Sequence, residues 1–333
     1  MRRRWFFTVI ASLLLGMTSA QVSGDASYHL RAMEWNVENL FDTVHDEGFR
    51  DEAFLPQGQY RWTASRYWRK LDELAKVIAA VADEGGVPDL IGLCEVENDS
   101  VLTTLSRRSA LRGLGYDYVM TQCEDARGID VALLYQPMRF RLLASQSFRV
   151  PSREQGLRPT RDILYAKGLT IVGDSATGEM YLDTLYVLVA HLPSRVGGHA
   201  SDQNRKLAAA ILWNVVDSLM THTTTTRGAL PRVMVMGDFN ADASDRIFRE
   251  TPLQLTDERS AQGTYCFRGI WQWLDHILVS SSIHVVAPAR PVRLPWLLEA
   301  DKSYDGEMPR RTFRGPTYHG GISDHLPIIL DFH

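Results

Sequence analysis

The apolar run Val233, Met234, Val235 and Met236 breaks at Gly237 and delivers Asp238, Phe239 and Asn240 to whatever lies beyond it. Such a run reads as a buried strand opening into a loop. Side chains alternate along extended backbone, so Asp238 and Asn240 can point the same way. A carboxylate that only accepts hydrogen bonds, beside an amide that also donates, suits a site that activates water next to a phosphate oxygen. Asp and Asn also cluster in ordinary turns, so the pair gains meaning from what else the chain places at strand ends.

The elements that would position such groups alternate along the first half of the chain. Residues 29–35 read as a strand leading to Asn36. Ser65 is placed to cap a helix in which Tyr67, Leu71, Leu74, Ala75, Ile78 and Val81 keep helical spacing. Residues 90–94 form a buried strand ending at Glu95, and a helix fits 101–111. Strands are expected at 116–120, 129–135, 140–148 and 163–172, and residues 182–190 deliver His191. A helix over 202–220 carries Leu207, Ile211, Val215 and Leu219 on one face. Short strands at 263–267, 273–279, 283–287 and 326–332 finish the chain. This mixture predicts two sheets packed face to face with helices outside. Asn36, Glu95, His191 and Asp238 all stand where a hydrophobic strand ends, and such ends converge along one rim of a sandwich.

Read in order, Trp-Asn-Val-Glu-Asn around Asn36, Glu-Val-Glu-Asn at Glu95, Arg-Gly-Ile-Asp from Arg127 to Asp130, His-Leu-Pro-Ser-Arg from His191 to Arg195, Gly-Asp-Phe-Asn at Asp238, Leu-Asp-His at Asp275 and Ser-Asp-His at His325 form an ordered series. Each motif is weak alone. The series resembles the endonuclease/exonuclease/phosphatase superfamily, which includes pancreatic deoxyribonuclease, abasic-site endonucleases, inositol polyphosphate 5-phosphatases and neutral sphingomyelinases. It covers about residues 29–333, and the Asn-Val-Glu-Asn-Leu-Phe-Asp opening is most similar to secreted bacterial nuclease-like members.

The resemblance implies an α+β fold, a four-layer αββα sandwich of two mainly antiparallel sheets with the site at one end. It implies a metal held by Glu95 with help from Asn36 and Asp324. Mg²⁺ is the expected ion, with Mn²⁺ able to substitute, because hard cations prefer a few carboxylates and several waters. Asp238 and Asn240 match the pair that aligns and deprotonates water and holds a phosphate oxygen. Asp275 matches the carboxylate that orients His325 and favours its imidazolium. His191 matches a second active-site histidine that binds phosphate or protonates the leaving oxygen, with Asp130 assigned as its partner. Arg127 falls near the scissile phosphate. Ser194 and Arg195 either touch neighbouring phosphates or belong to a solvated loop. His276 adjoins Asp275 but should point away from it in a strand. Trp271 and Trp273 are expected in the core, Arg158 and the Arg161–Asp162 pair either in an ion pair or on the cleft wall, and the apolar stretch 296–298 packed over the sandwich.

The expected reaction is in-line attack of water on a phosphate ester without a covalent enzyme intermediate, and nucleic acid would yield 5′-phosphate and 3′-hydroxyl ends. A lipid or inositol head-group substrate is the alternative, but no aromatic membrane loop or dense basic pocket is evident in the sequence. An inactive binding module would not need so complete a residue set.

Residues 1–20 pair a basic start with a short apolar run and small residues, the pattern of a secretory signal peptide. A single domain over 21–333, exported to a periplasm or beyond, is expected to work as a monomer without stable membrane insertion. Without Arg2, Arg3 and Arg4 the balance is 33 basic against 40 acidic residues, a formal charge of about −7. That argues against affinity resting on a broad basic surface, though not against an enzyme acting on nucleic acid. Of the three cysteines, Cys94 reads as a buried strand residue, while Cys123 and Cys266 are open to pairing without requiring it.

Overall fold

The computed structural model describes residues 29–333 apart from 83–85, 174–178, 224–228 and 259–261. The expected leader lies outside the described residues, as does part of the threonine-rich loop at 221–226.

The strands, in chain order, are β1 (Leu30–Leu40), β2 (Leu90–Val96), β3 (Asp117–Met120), β4 (Asp130–Tyr135), β5 (Arg141–Phe148), β6 (Ile163–Gly173), β7 (Met180–His191), β8 (Arg232–Asp238) and β9 (Gln254–Leu255). They continue as β10 (Tyr265–Phe267), β11 (Ile270–Gln272), β12 (Asp275–Val279), β13 (Val285–Pro291), β14 (Leu298–Ala300), β15 (Glu307–Pro309), β16 (Phe313–Arg314), β17 (Thr317–Tyr318) and β18 (Ile328–Phe332). The helices are α1 (Ala64–Ala80), α2 (Asp99–Arg107) and α3 (Gly198–His222). Two six-stranded sheets, ordered β13-β18-β1-β2-β4-β3 and β5-β6-β7-β8-β12-β9, form the centre.

Period-two alternation sorts the strand side chains among three cores. In β8, Met234 and Met236 face the first sheet, meeting Ala32, Cys94 and Val131, while Val233 and Val235 turn outward. That outer face packs on Ala208, Leu212 and Val216 of α3. On the far side, Met33, Trp35, Ile91 and Leu93 bury against Leu71, Leu74 and Ile78 of α1 and against Val101 and Leu105 of α2. The result is the expected helix–sheet–sheet–helix sandwich.

Each sheet contains one parallel pair among antiparallel neighbours. β1 runs parallel to β2 and β7 runs parallel to β8; α1 and α3 return the chain in these two crossovers. Parallel strands end on the same side, so Asn36 and Glu95 emerge together, and His191 lies directly opposite Asp238 in the β7–β8 register. The close approach of β7 and β8 depends on Gly237, where an added Cβ would fall 1.8 Å from the Ala190 carbonyl oxygen.

Several expected elements shift. β1 continues past Asn36 to Leu40, and the second helix stops at Arg107, followed by a 3-10 turn at Ala110–Leu114. The most buried face of α3 is Ala208, Ala209, Leu212, Trp213 and Val216, which leaves Leu207, Ile211, Val215 and Leu219 on its half-buried flank. Small alanines and the indole of Trp213, whose Nε1 donates to the Ile247 carbonyl at 2.6 Å, set that rotation. Trp273 is core, but Trp271 is only half-buried beneath Arg293, 4.6 Å from its ring centre. Trp296 packs against the outer core, as expected. Cys94, Cys123 and Cys266 are all buried and unpaired. Among the described residues no helix is long and apolar enough to cross a membrane.

Candidate active site

Glu95 sits where both neighbours of β2 lose register: the β1–β2 pairing shifts between Asn36 and Leu40, and the β2–β4 pairing shifts between Cys94 and Val96. Bulges of this kind re-aim a side chain next to a site. Glu95 adopts φ 66°, and Asn240 beyond β8 adopts φ 49°, both in the left-handed region that side-chain-bearing residues rarely occupy. The sequence runs that end in these two residues are therefore bent at their last step.

Asp238 is buried at the centre of the site. Its Oδ2 accepts from Asn36 Nδ2 at 3.0 Å and its Oδ1 accepts from the Asn240 amide at 2.8 Å. His191 Nε2 lies 3.4 Å and His325 Nε2 3.9 Å from Asp238 Oδ2. Burial lifts the carboxyl to about 7; the charge of His325 pulls it down and Asp275 pushes it up. A carboxylate lifted in this way is a competent proton acceptor near neutrality.

His325 Nδ1 contacts Asp275 Oδ2 at 2.7 Å, and Thr264 Oγ1 donates to the same oxygen. Burial works against the charged ring, yet Asp275 and Asp238 outweigh it and hold His325 well above the usual histidine range. Imidazolium is thus the favoured form, with Nε2 turned to the cleft side near Asp238. His191 is the opposite case. Burial, reinforced by Arg161 and Arg127, pushes it well below the usual range and keeps it neutral.

The pairing of His191 with Asp130 is not realised. Asp130 Oδ1 accepts from the Thr121 hydroxyl and from the Cys123 amide at 3.1 Å, so its carboxylate braces the β3–β4 connection. His191 Nδ1 has no hydrogen-bond partner among the described residues. His276 is equally remote from the chemistry: Nδ1 meets Asp257 Oδ2 at 2.8 Å and Nε2 meets the Ala241 carbonyl at 2.8 Å.

The donors present fit a hard divalent cation at Glu95. Its Oε2 is fixed by the Asn39 amide at 2.8 Å, and Oε1 stands 4.0 Å from His191 Nε2. Asn36 Oδ1 accepts from the Glu38 amide at 3.0 Å and keeps a second lone pair. Asp324 Oδ2 takes Arg311 Nη2 at 3.0 Å, so Asp324 offers a partly neutralised carboxylate. Asp238, Asp275 and His325 bring donor atoms within 4.8 Å of one another. That trio is a hydrogen-bonded acid–base chain, with His325 Nδ1 taken up by Asp275 Oδ2 and Nε2 facing Asp238.

These groups open into a cleft of about 440 Å³ whose wall includes Asn36, Glu95, Arg127, His191, Ser194, Arg195, Asp238, Asn240, Asp324 and His325. Asp275 stands behind His325, and Asp130 is not on the wall. Arg195 Nε donates to the Asn240 carbonyl at 2.9 Å, and Asn240 Nδ2 donates to the Leu192 carbonyl at 3.0 Å, so both are held in place by backbone. Arg161 lines the cleft, but its ion pair is with Asp125 at 3.3 Å rather than with Asp162, whose Oδ1 accepts from the Val150 amide at 3.4 Å. Tyr265, whose ring centre is 4.9 Å from that of His325, and Phe267 also line the cleft. Neither was foreseen, since a three-residue strand carries no motif.

A helix–sheet–sheet–helix sandwich with buried acid–base residues at the ends of its central strands defines a phosphoester-hydrolase architecture. Residues 32–333 match the Endonuclease/Exonuclease/phosphatase family, and the chain belongs to it. Its fold is shared with a humanised zebrafish (D. rerio) TDP2, at 15% identity and TM-score 0.54, covering 92% of this chain and 100% of that one. An endonuclease/exonuclease/phosphatase family protein from Bacteroides thetaiotaomicron is similar at 16% identity and TM-score 0.55, covering 91% and 97%. A mannosyl-6-phosphatase from the same bacterium is similar at 16% identity and TM-score 0.53, covering 91% and 99%. No curated protein matches the chain.

Proposed function

We propose that this chain is an exported, Mg²⁺-dependent phosphodiesterase that hydrolyses DNA or RNA. The observation that carries the reading is the convergence of Glu95, Asp238 and the His325–Asp275 pair on one cleft. Glu95, with Asn36 and Asp324, would hold a divalent cation, which when bound would supply charge neutralisation at the phosphate being cleaved.

The chain's own residues do the rest. Asp238, held by Asn36 and the Asn240 amide, takes a proton from water. Asn240 offers its second amide hydrogen to a phosphate oxygen. His325, kept charged by Asp275, donates to an oxygen on which negative charge develops. Neutral His191 serves as a hydrogen-bonding group to the phosphate, one of the two roles open to it. Positioned acid–base groups contribute about 10²- to 10⁴-fold.

Nucleic acid is favoured because Tyr265 and Phe267 line the cleft, with Phe267 half-exposed, offering ring faces on which bases stack. A TDP2 of the same fold holds a single-strand DNA product. Export rests on the basic, apolar and small-residue pattern of residues 1–20, and a monomer is part of the same reading.

The test is a substrate panel: purified chain plus Mg²⁺ with plasmid, single-stranded DNA, RNA, sphingomyelin and phosphoinositides. Cleavage of nucleic acid is the expected result. Turnover of lipid alone would replace this reading with the head-group alternative.

A further inference from the structure

Beside the catalytic cleft lies another, of about 420 Å³, whose wall carries three arginines, Arg127, Arg158 and Arg161. The two clefts share Arg127, Arg161, Ser194 and Val196, so they are continuous. We infer that the arginine cleft binds a second phosphate group of the same substrate, one group removed from the phosphate being hydrolysed. This rests on the proposed phosphodiesterase activity and names the substrate class it selects.

Charge and fixation carry the argument. Among the described residues the only carboxylate on the wall is Asp125, which accepts from the Arg127 amide at 2.9 Å and pairs with Arg161 Nη1 at 3.3 Å and Arg127 Nε at 3.6 Å. One carboxylate against three guanidinium groups leaves a net positive site on a chain whose overall charge is negative. Arg161 is buried, with Nη2 anchored on the Leu192 carbonyl at 2.9 Å, so its charge is pre-positioned. Arg158 is exposed, but its backbone is pinned: its carbonyl accepts from Asn204 Nδ2 at 2.7 Å, and Asn204 Oδ1 accepts from Ser152 Oγ at 2.7 Å.

The first turn of α3 completes the wall through Ala200 and Ser201, and its cap, Gly197, has no side chain with which to satisfy the helix-start amides. Free amides at a helix start add to the attraction for anions. Guanidinium groups match phosphate oxygens in charge and fork geometry. Arg127 and Arg161 face both clefts, but Arg158 lines only this one, so a lone phosphate at Asp238 leaves Arg158 unused and a neighbouring phosphate engages it.

Two sources present that chemistry, a nucleic-acid strand and a small molecule with two phosphates. Rates with Mg²⁺ are compared for a thymidine dinucleotide with and without a 5′- or 3′-phosphate, and for glycerophosphoinositol with and without a ring phosphate. The extra phosphate should raise kcat/KM roughly tenfold in the series that matches the natural source. Arg158→Ala should erase that gain while leaving the single-phosphate rate unchanged, and Arg158→Lys should keep part of it. Calorimetric binding of phosphorothioate-linked dinucleotides, with and without the added phosphate, reads the subsite without turnover. If no substrate is hydrolysed, the phosphodiesterase reading fails while this binding arm still decides the subsite. Equal loss on both substrates, or an unchanged ratio and unchanged binding in Arg158→Ala, overturns the inference.

Discussion

His325 Nδ1 and Asp275 Oδ2 lie 2.7 Å apart at the base of the catalytic cleft, both buried. They come from β12 and the segment preceding β18, strands of different sheets. The contact therefore joins the two halves of the sandwich at the point where the chemistry is proposed.

Asp275→Asn removes the charge that holds the ring protonated while conserving shape. It should lower kcat by about 10²-fold or more with little change in KM. Steady-state kinetics on the substrate found in the panel decides this, and an unaltered kcat would remove His325 from the reaction.

Glu95→Gln should lower activity at fixed Mg²⁺ by roughly a hundredfold or more, because a bound cation stabilises transition-state charge by several kcal/mol. Circular dichroism should be unchanged, since Glu95 lines the cleft rather than the core. Calorimetric titration with Mg²⁺ and Mn²⁺ should show weakened binding; full affinity would place the metal elsewhere. Asp238→Asn should cost about 10²- to 10⁴-fold in kcat and less in KM.

Gly237→Ala should destabilise the fold by about 1–3 kcal/mol, the usual cost of overpacking. The methyl would meet the Ala190 carbonyl oxygen at 1.8 Å, so β7 and β8 would have to part. Calorimetric melting measures the loss, and activity should fall with it because His191 and Asp238 share that register.

His276 predicts a pH dependence of stability away from the catalytic groups. Burial opposes its charge, but Asp257 and the Ala241 carbonyl outweigh that and raise it above the ordinary value. A raised folded-state pKa contributes stability that is complete below the unfolded value of about 6.5 and is lost as pH rises through the folded value. Denaturant midpoints should show the wild type's advantage over His276→Gln shrinking from pH 6 upward. A pH-independent difference would mean that the ring acts by packing alone, against Phe239 and Phe248.

Much of the site was legible because its residues end hydrophobic strands. Asn36, Glu95, His191 and Asp238 are local signals of this kind, and parallel pairing brings them to one end of the sandwich. The partner of His191 was not legible. Asp130 stood on a suitable strand, but Thr121 and Cys123, its neighbours across a tight connection, claim its carboxylate. On α3, Leu207, Ile211, Val215 and Leu219 share one face as their spacing requires, but apolar residues occupy two adjoining stripes, and only packing against β8 decides that the neighbouring one is the more deeply buried.

By itself, the sequence determined which segments extend, which coil and which polar groups stand at their ends, since these follow from periodicity and local backbone preference. Tertiary structure alone decided what those groups meet. Asp238 is raised by burial between two sheets, His191 is kept neutral chiefly by burial and also by arginines distant in sequence, and His325 is kept charged by a carboxylate on the opposite sheet. Desolvation and charge pairing depend on distance in space, and folding sets that distance without regard to order along the chain.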